Sequence, residues 1–151
     1  MSGRDGRPIV FLDVDGTLLP FGGDPAARRL VAGVGVRLAA MPCELVWATT
    51  WGEDANTGIS PRLGLPRLPV VTWEADPGPG DHGLGLHWKT RGLATWAGTR
   101  PFVWLDDELT TLDSDWLRNY HPAPTLLEHI DPHEGVTPQT LTAVESWLHD
   151  L

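Results

Sequence analysis

Acidic and hydroxyl side chains stand at the ends of three separate apolar runs in this 151-residue sequence. In chain order they are Asp13 and Asp15, Thr49 and Thr50, and Asp106 and Asp107. Carboxylates gathered in a site shielded from water repel one another, and a divalent cation relieves that repulsion. Mg²⁺ is usually held by one or two carboxylates together with phosphate oxygens of a substrate. If the three runs are neighbouring strands, these side chains converge and suit phosphoryl chemistry with bound Mg²⁺.

A single lysine accompanies these groups. Lys89 is the only lysine in the chain, and it lies at the start of a segment with helical periodicity. Its ammonium would neutralise phosphate charge, and the free N–H groups at the start of a helix also favour an anion. We therefore include Lys89 in the candidate site.

Five apolar runs predict the strands that must position these residues. They are Ile9–Leu12, Leu45–Ala48, Leu68–Val71, Phe102–Leu105 and the short Thr125–Leu127. Continuous apolar runs are typical of parallel strands buried on both faces. The third run is the weakest, because Pro69 cannot donate to a ladder and suits an edge strand. Ligands of open parallel sheets bind outside the carboxyl ends of the strands, which is where the polar residues fall.

Segments compatible with helices alternate with these runs, and Asp24-Pro25 resembles an N-cap followed by a first-turn proline. The first predicted helix begins at Asp24 and has Leu30, Val34 and Leu38 on one face, and a second, short helix lies near Glu53 to Thr57. A third extends from Lys89 to Gly98 with Leu93, Trp96 and Ala97 facing inward. The last begins at Thr137-Pro138, with Leu141, Val144 and Leu148 facing inward. This alternation predicts a three-layer α/β sandwich with a mostly parallel, Rossmann-like sheet. Residues 76–85 are predicted to form an exposed loop, and the length favours a single domain over residues 1–151.

Composition restricts the classes of protein. The formal net charge of −9 disfavours nucleic acid as a partner, because its phosphates are bound by Lys and Arg. Cys43 is the only cysteine, which excludes an intrachain disulfide and a cysteine-based zinc site. No stretch is long enough for a membrane span, and the first apolar run is too short for a signal peptide. We expect a cytoplasmic protein without a membrane partner, and its oligomeric state stays open.

The four polar groups together resemble the four motifs of the haloacid dehalogenase superfamily. Asp13-Val14-Asp15-Gly16-Thr17 is similar to the first motif, Thr49 to the second, Lys89 to the third and Asp106-Asp107 to the fourth. The motifs occur in the family's order, and the match spans residues 9–107. The resemblance implies a Rossmann-like hydrolase fold, a Mg²⁺ cofactor and hydrolysis of phosphate monoesters.

The resemblance also implies catalytic roles. Asp13 would attack phosphorus and form an aspartyl-phosphate, and Asp15 would act first as general acid and then as general base. Thr49 and Lys89 would hold the transferring phosphoryl group. An acid at position 15 favours phosphatase or phosphomutase chemistry over dehalogenation.

Metal and substrate ligands follow from the same resemblance. Mg²⁺ would be bound by the Asp13 carboxylate, the Asp15 backbone carbonyl and the acidic pair, with Asp106 or Asp107 as the direct ligand. Gly16 and Thr50 are candidates for substrate binding together with Thr49 and Lys89, and Thr50 could equally serve only to turn the chain.

A narrower resemblance covers nearly the whole chain. The segments Trp47-Ala48-Thr49-Thr50-Trp51, Ala55-Asn56, Leu86-His87-Trp88-Lys89, Trp104-Leu105-Asp106-Asp107-Glu108, Asp131-Pro132 and Gly135-Val136-Thr137 are similar to a small bacterial subgroup of the superfamily. Domain architecture associates that subgroup with RNA-repair proteins. The spacing between motifs is too short for a large cap domain, so a capless phosphatase is expected. Its leading substrate class is a small phosphorylated metabolite or nucleotide, and the alternative is a 3′- or 5′-phosphate at a nucleic-acid end.

Other interpretations of these residues stay open. A phosphomutase would usually need a cap, and a catalytically silent phosphate-binding module would have kept the fold without the reaction. An EF-hand loop starting at Asp13 is disfavoured, because its sixth position is Leu18 instead of Gly. Trp47 and Trp104 lie within predicted strands and are assigned to the core. Trp51 and Trp88 either line the substrate pocket or pack under its loops.

Overall fold

The computed structural model describes residues 6–21, 30–31, 33–73 and 85–151. Among these residues lies one sheet of four strands, all parallel, in the order β2-β1-β3-β4. The strands are β1 (Ile9–Leu12), β2 (Glu44–Trp47), β3 (Phe102–Asp106) and β4 (Thr125–His129). Four of the five predicted strands are confirmed: the bounds of β1 are those predicted, and the bounds of the other three differ by one or two residues. The parallel sheet is confirmed with them.

The register brings three strand ends to one edge of the sheet. Leu12, the last residue of β1, is paired with Trp47 of β2 on one side and Leu105 of β3 on the other. The chain runs from β1 to β2 and then returns past β1 to form β3, so the strand order reverses beside β1. In open α/β sheets such a reversal leaves a crevice at the carboxyl ends of the strands.

Helices cover both faces of the sheet, and the α/β sandwich therefore has three layers. They are α1 (Val34–Ala39), α2 (Asp54–Gly58), α3 (Ser60–Leu63), α4 (Thr90–Ala97), α5 (Thr111–Tyr120) and α6 (Pro138–His149). Val10 and Leu12 face the cluster that contains residues of α1, α2, α3 and α6. Ile9 and Phe11 face the cluster that contains residues of α4 and α5. No described helix is long and apolar enough to cross a membrane.

The predicted helices are confirmed in part. The last helix begins after Thr137, whose hydroxyl accepts a hydrogen bond from the Thr140 N–H, and its predicted apolar stripe is buried. The predicted start of the first helix at Asp24-Pro25 lies outside the described residues. Leu30 is not helical, because α1 begins only after Gly33, which adopts a left-handed conformation with φ of 77°. The prediction that Leu30 shares a helical face with Val34 is therefore wrong.

Two further expectations are corrected. Leu68–Val71 is not a strand but forms a single parallel bridge, between Val70 and Trp47 of the edge strand β2. Pro69 explains this, since a residue without an N–H cannot extend a ladder. The helices α5 and α3 were not predicted at all. In α5 only Asp113 and Leu117 are buried. Leu112 and Tyr120 lie four residues to either side of Trp116 but are exposed, so the apolar spacing of this segment does not mark a buried stripe.

A buried asparagine connects the edge strand β2 to the segment that contains Leu68. Asn56, in α2, accepts hydrogen bonds from the Trp47 indole at 3.1 Å and from the Leu68 N–H at 2.8 Å. Its amide group donates to the Leu68 carbonyl at 2.9 Å. This side chain thus satisfies backbone groups of a segment that has no full strand ladder, which explains why an amide is needed there.

We expect Asn56→Ala to lower the free energy of unfolding by about 2–4 kcal/mol, because both backbone groups of Leu68 lose their partner. Thr57→Ala is the matched control on the same helix, since among the described residues that exposed hydroxyl bonds only the Asp54 carbonyl. Urea denaturation followed by circular dichroism measures both. Equal stabilities for the two variants would contradict the role given to Asn56.

Candidate active site

Asp13 stands at the carboxyl end of β1 with both carboxylate oxygens engaged. Its Oδ1 accepts a hydrogen bond from Lys89 Nζ at 3.1 Å, and its Oδ2 accepts one from the Thr17 hydroxyl at 3.1 Å. The side chain is buried. Burial raises the pKa of Asp13 above its ordinary value, against the opposing charge of Lys89 and with a contribution from Asp106. Additional positive charge would be needed to stabilise the carboxylate fully.

Lys89 Nζ lies at the centre of the site and bridges three strand ends. It donates to Asp13 Oδ1, to Asp106 Oδ2 at 2.9 Å and to the Ala48 carbonyl at 2.8 Å. Burial lowers the pKa of this amine, but the charges of Asp106 and Asp13 outweigh that effect and raise the pKa above its usual value. The ammonium therefore stays charged in a buried position, as only a paired charge can.

A buried acid fixes the loop that carries Lys89. Asp113 Oδ1, in the first turn of α5, accepts hydrogen bonds from the His87 N–H and the Thr90 hydroxyl, both at 2.7 Å. Asp113 Oδ2 accepts from the Thr110 N–H at 3.0 Å, which caps the same helix. One carboxylate thus joins the start of α4 to the start of α5 and sets the direction from which Lys89 enters the site.

Asp106 and Asp107 occupy the end of β3 with different surroundings. Asp106 is almost fully buried, and its Oδ1 accepts the Glu108 N–H while its Oδ2 faces Lys89. Asp107 is less buried. Its pKa is raised to about 7, mainly by burial and secondly by the hydrogen bond and the charge repulsion with Asp106. A Cβ at position 16 would overlap Asp107 Oδ2, so Gly16, at φ of 77°, is needed for this approach.

The donor set of Asp13, Asp106 and Asp107 fits a hard divalent cation. One oxygen from each of the three carboxylates can be chosen so that all lie within 4.8 Å of one another. Oxygen-only donors suit Mg²⁺ or Ca²⁺ rather than a metal that prefers nitrogen or sulfur. Burial and the neighbouring carboxylate of Asp106 together raise the pKa of Asp107 to about 7, and a bound cation would oppose both effects.

A second group, His87 with Asp106 and Glu108, is also compact enough to hold an ion. The His87 ring argues against it. Its Nδ1 accepts the Lys89 N–H at 3.1 Å, so in the neutral ring the hydrogen lies on Nε2, the atom that faces both acids. A nitrogen that carries a hydrogen cannot ligate a metal, so this group is a weaker candidate for an ion than Asp13, Asp106 and Asp107.

Thr49 and Asp15 lie on the β2 side of the crevice. Thr49 is buried and its hydroxyl accepts the Trp51 N–H at 3.2 Å, whereas Thr50 is exposed. Asp15 Oδ2 accepts a hydrogen bond from the Trp51 indole at 2.9 Å. Trp88 packs edge-on against Trp73 and stacks on His87.

The structure therefore brings Asp13, Lys89, Asp106 and Asp107 into one cluster, with Gly16 against it. Functional residues that sequence reasoning missed are Thr17, which bonds the Asp13 carboxylate, and Asp113, which holds the lysine loop. Thr17 was within a recognised motif and could have been assigned. No family model, no curated protein and no solved structure matches the chain, so a functional assignment rests on this geometry.

Without a divalent cation, we expect stability to fall as pH rises from about 4 to above 7. The pKa of Asp107 is raised from 3.8 to about 7, so the native state binds protons that the unfolded state has released in this window. Thermal denaturation in the presence of a chelator should show this loss as a lower melting temperature. We expect a decrease of roughly 2–4 °C for each kcal/mol of unfolding free energy that is lost. Added Mg²⁺ should reverse it at pH 8.

Asp107→Asn should weaken this pH dependence, because the amide does not titrate, while the contribution of the raised pKa of Asp13 remains. Asp115→Asn serves as the control, since Asp115 is exposed and pairs only with Arg118 among the contacts described. The interpretation fails if Asp107→Asn and Asp115→Asn keep the same pH profile as the unmodified chain.

Proposed function

We propose that this chain is a Mg²⁺-dependent phosphate monoester hydrolase of the haloacid dehalogenase type, with Asp13 as its nucleophile. The observation that carries the proposal is the contact of Lys89 Nζ with both Asp13 and Asp106 at the carboxyl edge of a parallel sheet. A lone acidic pair would often be structural. A buried nucleophile, a buried ammonium and a further acid in one crevice are the parts that phosphoryl transfer requires.

The proposed reaction begins with attack of the Asp13 carboxylate on phosphorus. The bond to the leaving oxygen breaks as Asp15 gives that oxygen a proton, and an aspartyl-phosphate is left on Asp13. The Asp15 carboxylate then accepts a proton from the water that hydrolyses this intermediate. Lys89 neutralises phosphoryl charge throughout, and Thr17 orients the carboxylate of Asp13 by its hydrogen bond.

The metal would be held by Asp13 and Asp107, with Asp106 in support. The carboxylate of Asp106 already accepts from Lys89 and from the Glu108 N–H, which favours Asp107 as the direct ligand of the pair. When bound, Mg²⁺ supplies charge stabilisation to the transferring phosphoryl group.

The substrate class follows from charge as well as from the site. A chain with 20 acidic and 11 basic residues repels polyanions, which favours a small phosphorylated metabolite or nucleotide over a nucleic-acid end. Binding of a 5′-phosphorylated oligonucleotide at several salt concentrations separates the two. A steep loss of affinity with salt would support the nucleic-acid alternative, because it reports several phosphate contacts.

Hydrolysis of p-nitrophenyl phosphate with and without Mg²⁺ tests the proposal directly. We expect activity that requires Mg²⁺ and that falls at least about 10³-fold in Asp13→Asn, since a nucleophile is removed while the shape is kept. Asp115→Asn on the surface is the matched control and should retain full activity.

Absence of turnover from the folded chain, with phosphorylated metabolites, nucleotides and oligonucleotides as well as aryl phosphate, would reject the hydrolase. Calorimetric binding of inorganic phosphate with Mg²⁺ would then identify a silent phosphate-binding module. Activity that survives Asp13→Asn would also reject the covalent mechanism.

A further inference from the structure

The indole of Trp51 contacts the residue to which the proposed reaction gives the acid–base role. Trp51 Nε1 donates a hydrogen bond to Asp15 Oδ2 at 2.9 Å, across 36 positions of sequence. Hydrogen bonds to a carboxylate are shorter and stronger than those between neutral groups. Neither the strand pattern nor the first motif predicts this pair, and the sequence alone left Trp51 undecided between pocket and packing.

Trp51 is itself held in place from two sides. Its backbone N–H bonds the Thr49 hydroxyl at 3.2 Å, which fixes the turn after β2. Its ring lies against Gly58 of α2, where an added Cβ would come within 3.3 Å of Cζ3. The ring also packs on the hydrophobic cluster beneath the sheet. A tryptophan has only two side-chain torsions, so these contacts make the indole N–H a rigid donor.

We infer that Trp51 is a positioning residue for Asp15 and holds its carboxyl in the orientation for proton transfer to the leaving oxygen. This inference rests on the proposed hydrolase function. The indole keeps its own hydrogen throughout. As the P–O bond breaks, its electron pair goes to the leaving oxygen, which takes the proton of Asp15, and Trp51 then donates to a full carboxylate. The bond strengthens as charge develops, so it favours the transition state over the ground state.

The role of Trp51 in positioning Asp15 can be distinguished from simple packing by how the effect of a Trp51 substitution on kcat/KM depends on the leaving group of the substrate. A basic alkoxide needs the proton of Asp15, whereas p-nitrophenolate leaves with little help. In Trp51→Phe, which keeps an aromatic ring but removes the N–H, kcat/KM for glycerol phosphate should fall about 10–100-fold. For p-nitrophenyl phosphate it should fall less than about threefold, because the acid contributes little there.

Trp116→Phe on α5 is the matched control, because it removes an indole that lies outside the site and packs near Tyr120. We expect that variant to match the unmodified chain on both substrates. A loss in Trp51→Phe that is equal for both substrates would overturn the positioning role and leave the hydrolase proposal standing. No Mg²⁺-dependent turnover by the unmodified chain would overturn both.

Nuclear magnetic resonance tests the hydrogen bond between Trp51 and Asp15 independently of any enzymatic activity. The chain has eight tryptophans, and the indole N–H signal that disappears in Trp51→Phe identifies Trp51. That signal should shift more than the other indole signals in Asp15→Asn, because its acceptor changes from a carboxylate to an amide. An unchanged Trp51 signal in Asp15→Asn would overturn the inference even if the chain is an active hydrolase.

Discussion

The ammonium of Lys89 is the interaction on which the site depends. It bonds the first residue after β1, the first residue after β2 and the last residue of β3, so one cation joins the ends of three adjacent strands. Without it, the buried carboxylates of Asp13 and Asp106 would face each other without compensation, which is strongly unfavourable in the interior. Lys89 bonds two carboxylates, and Asp107 is a third acid in the same cluster, so negative charge is left over for a cation.

The position of the lysine is itself a consequence of a second buried acid. Asp113 accepts hydrogen bonds from the loop before Lys89 and from the residue after it, and it also caps α5. The cap and the loop therefore share one carboxylate. A helix that buries little apolar surface is in this way part of the site, because it supplies the acid that fixes the direction of the lysine.

The sheet and the location of the site could be predicted because both depend on local sequence. A continuous apolar run such as Phe102–Leu105 is typical of a buried strand, and the polar residue that follows a parallel strand lies at the carboxyl edge. The predicted extent of the first helix is wrong, because α1 begins only after Gly33. The left-handed conformation of Gly33 cannot be inferred from the spacing of apolar residues.

The supporting contacts could not be predicted because their partners are distant in sequence. Asp113 would be identified as a cap from Thr110 three residues before it, but its bond to His87 spans 26 positions. Asn56 and Leu68 depend in the same way on how α2 lies beside β2. Such pairs are set by the packing of whole elements, so the reactive groups could be predicted from motifs while their supports required the structure.

The tryptophans around β2 share a chemical property that fits this charge balance. The indoles of Trp47, Trp51 and Trp73 donate to the Asn56 side chain, the Asp15 carboxylate and the Thr49 carbonyl. An indole supplies a large apolar surface and one neutral donor. A lysine or arginine in the place of Trp51 would also bind Asp15, but its charge would offset the acids that, in the proposed function, hold a cation. Neutral donors orient polar groups at the strand ends and leave the negative charge of the crevice intact. In the proposed function, a single buried lysine is then compatible both with protonation of the leaving oxygen by Asp15 and with a bound divalent ion.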